Sequence, residues 1–236
     1  MMKYALVTGC GHGIGLCLAE KLLERGYSVA AGYINRQESL LVSLRWRYPG
    51  LVTQPLDVSS DESVRAAAGS LPFPCLDLII NNAGILGNME SSPEDELDFG
   101  LMQKVINVNA LGALRVTAAF LPLLLRGTDK TVVNISSEAG SIAACERTGW
   151  FGYCMSKAAN NMQGALIHNT LKKNGGRVIQ IHPGHAATWM RGHLDTTAAI
   201  GPGTAAEGIL RTVLDMPRNV SDRPEYLDWQ GKKMPW

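Results

Sequence analysis

The chain has 236 residues, a formal net charge of +1 at neutral pH, 46% hydrophobic and 18% charged residues. That length buries a sizeable core, and that composition excludes a disordered or fibrous chain. The near-zero charge gives no electrostatic case for nucleic acid or an anionic membrane surface as partner.

Short apolar runs alternate with helix-length segments from end to end. Strands are predicted at 4–7, 28–31, 51–53, 76–80, 131–135, 178–181 and 225–227, and helices at 14–25, 37–48, 60–70, 97–126, 156–173 and 204–216. Runs such as Leu78-Ile79-Ile80 do not alternate with polar residues, so both faces of the sheet are expected to be covered. Repeated β-α-β units with short connections predict an α/β fold, a doubly wound parallel sheet of about seven strands flanked by helices. No linker, repeat or composition break divides residues 1–236, which read as a single domain. Met1-Met2-Lys3 leads straight into a short apolar run, so no secretory segment is expected. The stretch 105–125 is long enough to span a membrane, but Asn107, Asn109 and Arg115 lie in its body and Pro122 near its end. It reads as a buried helix. Five cysteines, odd in number and without C-x-x-C spacing, point to reduced thiols and a cytoplasmic protein, and no metal is expected.

Thr8-Gly9-Cys10-Gly11-His12-Gly13-Ile14-Gly15 follows the first strand and opens the first helix. Glycines let the backbone approach a pyrophosphate, and the N–H groups of a helix start bind its charge. The strict G-x-G-x-x-G form fails at Ile14; the pattern is T-G-x-x-x-G-x-G. At the end of the second strand, Gly32-Tyr33-Ile34-Asn35-Arg36 offers no carboxylate before Glu38. A carboxylate there would accept from a ribose 2′-hydroxyl and repel a 2′-phosphate. Arg36 suits a 2′-phosphate, unless it caps the following helix and points to water. NADP (NADPH) is therefore favoured over NAD.

Tyr153 and Lys157 stand four positions apart, on one face of a helix. An ammonium held there is expected to favour the phenolate and lower the phenol's pKa toward neutrality. Ser137 ends the run Val132-Val133-Asn134-Ile135-Ser136-Ser137, at the carboxyl edge of the sheet, where it can hydrogen-bond a substrate oxygen as charge develops. By chemistry alone Ser136 serves equally. Trp150, Phe151 and Trp189 suggest an aromatic pocket for an apolar or planar carbonyl compound, or ordinary core packing. The irregular stretch 185–203 is a candidate substrate lid.

These segments, with Asn81-Asn82-Ala83-Gly84 and Pro183-Gly184 followed by Thr188, resemble the short-chain dehydrogenase/reductase family over essentially the whole chain. Val108-Asn109-Ala110-Leu111-Gly112-Ala113-Leu114-Arg115-Val116-Thr117 and Leu227-Asp228-Trp229-Gln230-Gly231-Lys232 look most like its carbonyl-reductase-like branch of C-factor and sniffer-like proteins. The resemblance implies a Rossmann-like fold and a catalytic set of Asn109, Ser137, Tyr153 and Lys157. It selects Ser137 over Ser136, because the family's motif uses the second serine. Asn109 would hold a water linking Lys157 to solvent, and Lys157 would bind the nicotinamide ribose. Around the cofactor it implies the glycine turn (Thr8, Gly9, Gly11, His12, Gly13, Ile14 and Gly15), with His12 in a slot that often carries a base in NADP-using relatives. Asn35 and Arg36 would meet the 2′ position, and Asp57 with Val58 the adenine. Asn82, Ala83 and Gly84 would form the cofactor edge, while Pro183, Gly184 and Thr188 would meet the carboxamide. Ile85, Trp150, His185 and Trp189 would line the substrate pocket.

The activity implied is NADP-dependent interconversion of a ketone or aldehyde and its alcohol, on a small-molecule substrate. A non-catalytic NADP(H)-sensing protein and an NAD-dependent alcohol or diol dehydrogenase are the alternatives. Relatives pair through the helices at 97–126 and 156–173, so a homodimer is expected, with a tetramer possible. One departure stands out: sixteen positions separate Ser137 from Tyr153, a few more than is common, and the surplus falls in 138–150. His185 and Trp189 also differ from the sniffer-like pattern.

Overall fold

The computed structural model describes residues 2–34, 38–190, 192–217 and 220–236. Its seven strands are β1 (Lys3–Val7), β2 (Tyr27–Tyr33), β3 (Leu51–Pro55), β4 (Leu78–Asn81), β5 (Thr131–Ile135), β6 (Arg177–His182) and β7 (Glu225–Asp228). They join one sheet in the order β3-β2-β1-β4-β5-β6-β7, every neighbouring pair parallel. The winding direction reverses between β1 and β4. Such a reversal opens a crevice beyond the carboxyl ends of the strands.

Helices α1 (Gly13–Glu24), α2 (Glu38–Arg47) and α7 (Pro202–Leu214) cover one face. Helices α3 (Asp61–Ser70), α5 (Gly112–Arg126) and α6 (Phe151–Leu171) cover the other. Successive residues of β1 divide between the two cores. Ala5 and Val7 pack with Leu18, Leu22, Leu41 and Ile209, whereas Leu6 packs with Val64, Val116, Phe120 and Leu124. This is the period-two alternation of a strand buried on both sides.

The segment expected as one helix at 97–126 is continuous in space but not uniform. Asp98 caps α4 (Phe99–Ile106), accepting from the Leu101 N–H at 2.8 Å. A π-helical turn, Asn107–Leu111, then separates α4 from α5, with the Gly112 N–H bonded to the carbonyl of Asn107 five residues back. Phe99–Arg126 is long and apolar enough to cross a membrane by length and composition. Its Val116, Phe120 and Leu124 are instead buried against the sheet, and Arg115 donates to Asp61 and, at 2.6 Å, to the Val58 carbonyl. The helix expected at 156–173 begins at Phe151, because Trp150 takes a left-handed turn (φ 63°) and the chain is helical immediately after it.

Candidate active site

Two loops leaving the carboxyl edge are tied into one unit. Thr8 Oγ1 accepts from the Asn82 and Ala83 N–H groups, both at 3.0 Å. The Asn82 amide donates to the carbonyls of Thr8 (3.0 Å) and Gly9 (3.2 Å). Gly9 has φ +70°, and a Cβ there would lie 2.9 Å from the Ala83 Cα. Only glycine allows that approach.

The start of α1 has no side-chain cap at its N-cap residue, His12, and no acid in its first turn. Its leading N–H groups therefore have no side-chain oxygen competing for them, which suits a bound anion. Gly13 (φ +61°) is open: an added Cβ would meet only Thr188, at 3.6 Å. These features fit the phosphates of a dinucleotide. Gly11 and Gly15 are buried and His12 is exposed. Ile14 packs its side chain on the core, and Val58 is buried against Gly112. Asp57 is exposed and one of its oxygens accepts from the Ser59 N–H (2.9 Å) and hydroxyl (2.7 Å). Asn35 and Arg36 lie outside the described residues.

After β6, Pro183 and Gly184 lead into a loop that returns across the groove. Thr188 comes against Gly13, and the Met190 methyl sits 3.5 Å from where a Gly84 Cβ would stand. Asp195 braces the loop. Its carboxylate accepts from the Thr197 hydroxyl at 2.6 Å and pairs with His185 Nε2 at 2.8 Å, and its N–H donates to the Thr188 carbonyl. The Thr197 hydroxyl, then His185, hold its carboxyl well below the usual range.

On α6, the Lys157 ammonium lies 5.5 Å from the Tyr153 ring centroid and donates to the Ile135 carbonyl at 2.8 Å. Ser137, extended at φ −162°, donates its hydroxyl to the Glu138 carboxylate at 2.7 Å and acts on the Tyr153 phenol, opposing the rise that burial causes. Ser136 points the other way, to Asn161 Oδ1 at 2.6 Å. Strand alternation thus turns the two serines toward different partners. The Tyr226 hydroxyl donates to the Ser137 carbonyl and fixes its main chain.

Together with the groove, this pairing of a buried phenol, an ammonium and a serine at one sheet edge is what an oxidoreductase using a dinucleotide requires. A family model described as short chain dehydrogenase matches residues 3–199. The chain belongs to the short-chain dehydrogenase/reductase family. It is 31% identical, over the full length of both chains, to the 1-hydroxy-2-glutathionyl-2-methyl-3-butene dehydrogenase of Rhodococcus sp. (strain AD45). It is 34% identical to the C-signal protein of Myxococcus xanthus, over 73% of this chain and all of that one. Among solved structures it is similar to the NADPH-bound carbonyl reductase from chicken fatty liver, with a TM-score of 0.89, 30% identity, and 100% and 99% of the two chains covered. These relatives place it by the carbonyl-reductase-like branch.

In this short-chain dehydrogenase/reductase, one expectation is corrected. The phenol is not lowered. Burial pushes Tyr153 up to about 12, with the nearby Glu138 adding to the rise and Ser137 opposing it. Burial alone brings Lys157 down to about 8. The Asn109 side chain is engaged with Ile85 and Ser156. Its amide accepts from the Ile85 N–H and donates to the Ile85 carbonyl, both at 2.8 Å, and donates to Ser156 Oγ at 2.9 Å. It clamps Ile85. His185 pairs with Asp195 through Nε2 and is otherwise half exposed, and the aromatic trio is divided. Trp150 meets Tyr153 edge-on at 6.2 Å, Phe151 lines a separate small cavity with Gly87, Met102 and Val105, and Trp189 is exposed.

Three residues escaped the sequence reading. Met190 and Asp195 belong to a loop whose path no periodicity fixes. Glu138 follows Ser137 directly, and its carboxylate accepts from Ser137 Oγ at 2.7 Å and from Arg147 at 2.5 Å. Its adjacency to the serine is the one signal that could have found it.

Proposed function

We propose that the protein is an NADP-dependent oxidoreductase that interconverts a ketone or aldehyde and the corresponding alcohol, with Tyr153 as proton donor in reduction and acceptor in oxidation. The observation that carries this reading is the convergence of the Tyr153 phenol, the Ser137 hydroxyl and the Lys157 ammonium at the carboxyl edge of β5. NADP(H), when bound, supplies or takes the hydride. The first turn of α1, Asn82 to Gly84 and Thr188 would hold it. Ser137 would fix the substrate oxygen beside Tyr153, where negative charge gathers during reduction. A phenol raised to about 12 stays protonated at neutral pH and so stands ready as a donor. Asn109 would act by holding Ile85 against the pocket, and Trp150 supplies an apolar wall beside the phenol.

NADPH on the chicken reductase supports NADP as cofactor, as does the missing carboxylate after β2. The small-molecule alcohol named for the Rhodococcus relative supports a substrate of that size. We place the protein in the cytoplasm, as a single catalytic domain, working as a homodimer. Two stripes support the dimer, Leu111, Leu114 and Leu125 on the π-turn and α5, and Met155, Met162 and Leu166 on α6, all exposed.

Tyr153→Phe tests the mechanism. NADPH oxidation with a panel of ketones, aldehydes and quinones is expected to fall at least about 1000-fold, while NADPH binding, read by nicotinamide fluorescence, is kept. Full activity in that variant would remove the tyrosine from the mechanism. A larger kcat/KM with NADH than with NADPH would overturn the cofactor assignment.

A further inference from the structure

Glu138 opens the short 3-10 turn Glu138–Gly140, capped by Ser137. One carboxylate oxygen accepts from the Ser137 hydroxyl (2.7 Å) and the Ala139 N–H (2.6 Å), and the other from Arg147 (2.5 Å). Its own N–H donates to His182 Nδ1 at 3.3 Å. A serine hydroxyl has one proton to give. That proton can serve the Glu138 carboxylate or a Tyr153 phenolate, but not both. While the phenol is neutral the proton lies toward the Glu138 carboxylate at 2.7 Å, and it can serve a Tyr153 phenolate only by leaving that carboxylate.

We infer that Glu138 is a positioning residue: by holding the Ser137 hydroxyl proton it sets the pH at which the neighbouring Tyr153 passes from proton donor to proton acceptor. This rests on the function proposed above. The equilibrium between carbonyl and alcohol is untouched; what moves is the titration of the group that exchanges the proton.

The surrounding charges agree with this role. Burial pushes the Glu138 carboxyl up, but the Ser137 hydroxyl, His182, Arg147 and the Ala139 N–H together hold it below the ordinary carboxylate range. It is therefore an anion at working pH, one hydroxyl removed from the phenol. Lys157 is the cation on the far side, 5.5 Å from the ring centroid. Arg147 stacks on Trp150 at 4.8 Å, which in turn meets Tyr153 edge-on. His182, beside Glu138 and Asp228, is kept below its ordinary value by burial and is neutral near pH 7. Cys154 and Tyr226 also face the phenol, and both are raised by burial, so neither carries charge there. Glu138 is the anion that remains.

The test uses the full chain and reads Tyr153 without turnover, as the phenolate absorbance of the protein minus that of Y153F across a pH titration. In E138Q the phenolate midpoint is expected to fall by about one pH unit. The pH limb of kcat/KM is expected to move down equally, rising earlier for alcohol oxidation and falling earlier for carbonyl reduction. E138D, which keeps the charge, restores the original midpoint. The double variant E138Q/R147Q leaves no unpaired guanidinium. It is expected to show the same fall, which separates loss of the anion from release of Arg147 and serves if E138Q folds poorly. An unmoved midpoint in folded E138Q and in the double variant overturns the inference. So does a midpoint that falls as far in E138D. If the midpoint falls but the parent protein reduces no carbonyl compound, the proposed function fails while the role of Glu138 over Tyr153 stands.

Discussion

Lys157 carries its charge where water scarcely reaches. The residue is 4% exposed, and its ammonium has the Ile135 carbonyl as partner. Burial brings it down to about 8, against roughly 10.4 for a lysine in water. Below pH 8 both folded and unfolded chains are protonated, and the folded state bears the whole cost of the buried charge. As pH rises from 8 toward 10 the folded lysine gives up its proton first, so stability increases. Tyr153, pushed up to about 12, acts in the opposite sense. It is neutral in both states until about pH 10, above which ionisation favours the unfolded chain. Lys157→Met is therefore expected to stabilise the protein by about 1–2 kcal/mol at pH 7, after allowing for the carbonyl it leaves without a donor. Urea unfolding at pH 7 and pH 9.5 measures this, and the gain should shrink at the higher pH. A variant no more stable than the parent at pH 7 would mean that the ammonium is fully compensated. The same variant is expected to be inactive, a cost of function set against stability.

At the level of the element, the π-turn Asn107–Leu111 places Asn109 where a regular helix would not. One inserted residue rotates the following side chains, and Asn109 ends 2% exposed, spanning from the helix to Ile85 and Ser156. Asn109→Ala leaves the Ile85 N–H and carbonyl without that partner, and should lower the free energy of unfolding by about 2–4 kcal/mol. Thermal and urea melts check it, and a loss under 0.5 kcal/mol would show that Ile85 finds other partners. The turn also shows what the sequence hides. An inserted residue changes no composition, so 97–126 reads as one helix, whereas the glycine turn is legible because Gly9 and Gly13 answer backbone demands no other residue meets as cheaply. The Tyr153–Lys157 pairing follows from helix geometry. The sign of its electrostatics does not, since depth of burial is set by α4, the turn at 138–140 and β6, which pack on α6 from other parts of the chain. The bond between Glu138 and Arg147 crosses an irregular segment with no period to read.

Across the whole molecule, the surface to explain is the outer side of α5 and α6. Leu111, Leu114 and Leu125 recur with Ala118 and Leu121 between them at alternating steps of three and four, the spacing of a packed helix seam. On α6, Met155, Met162 and Leu166 stand seven and four residues apart, one stripe, with Met162 64% and Leu166 61% exposed. Each helix already buries its opposite side in the domain: Val116, Phe120 and Leu124 on α5, Ser156, Asn160 and Gly164 on α6. Exposed apolar side chains grouped along a helix face are candidates for an interface. Two copies related by a two-fold axis would cover both, each stripe meeting its counterpart. Leu166→Glu puts a charge in that seam without touching Tyr153, Lys157 or the nucleotide groove. Light scattering coupled to size-exclusion chromatography should find about 51 kDa for the parent, twice the 25.5 kDa chain, and a single chain for L166E, with the thermal midpoint now independent of concentration. A parent protein that elutes as a single chain at micromolar concentration would show that the two stripes face solvent or another partner, and the homodimer would fall.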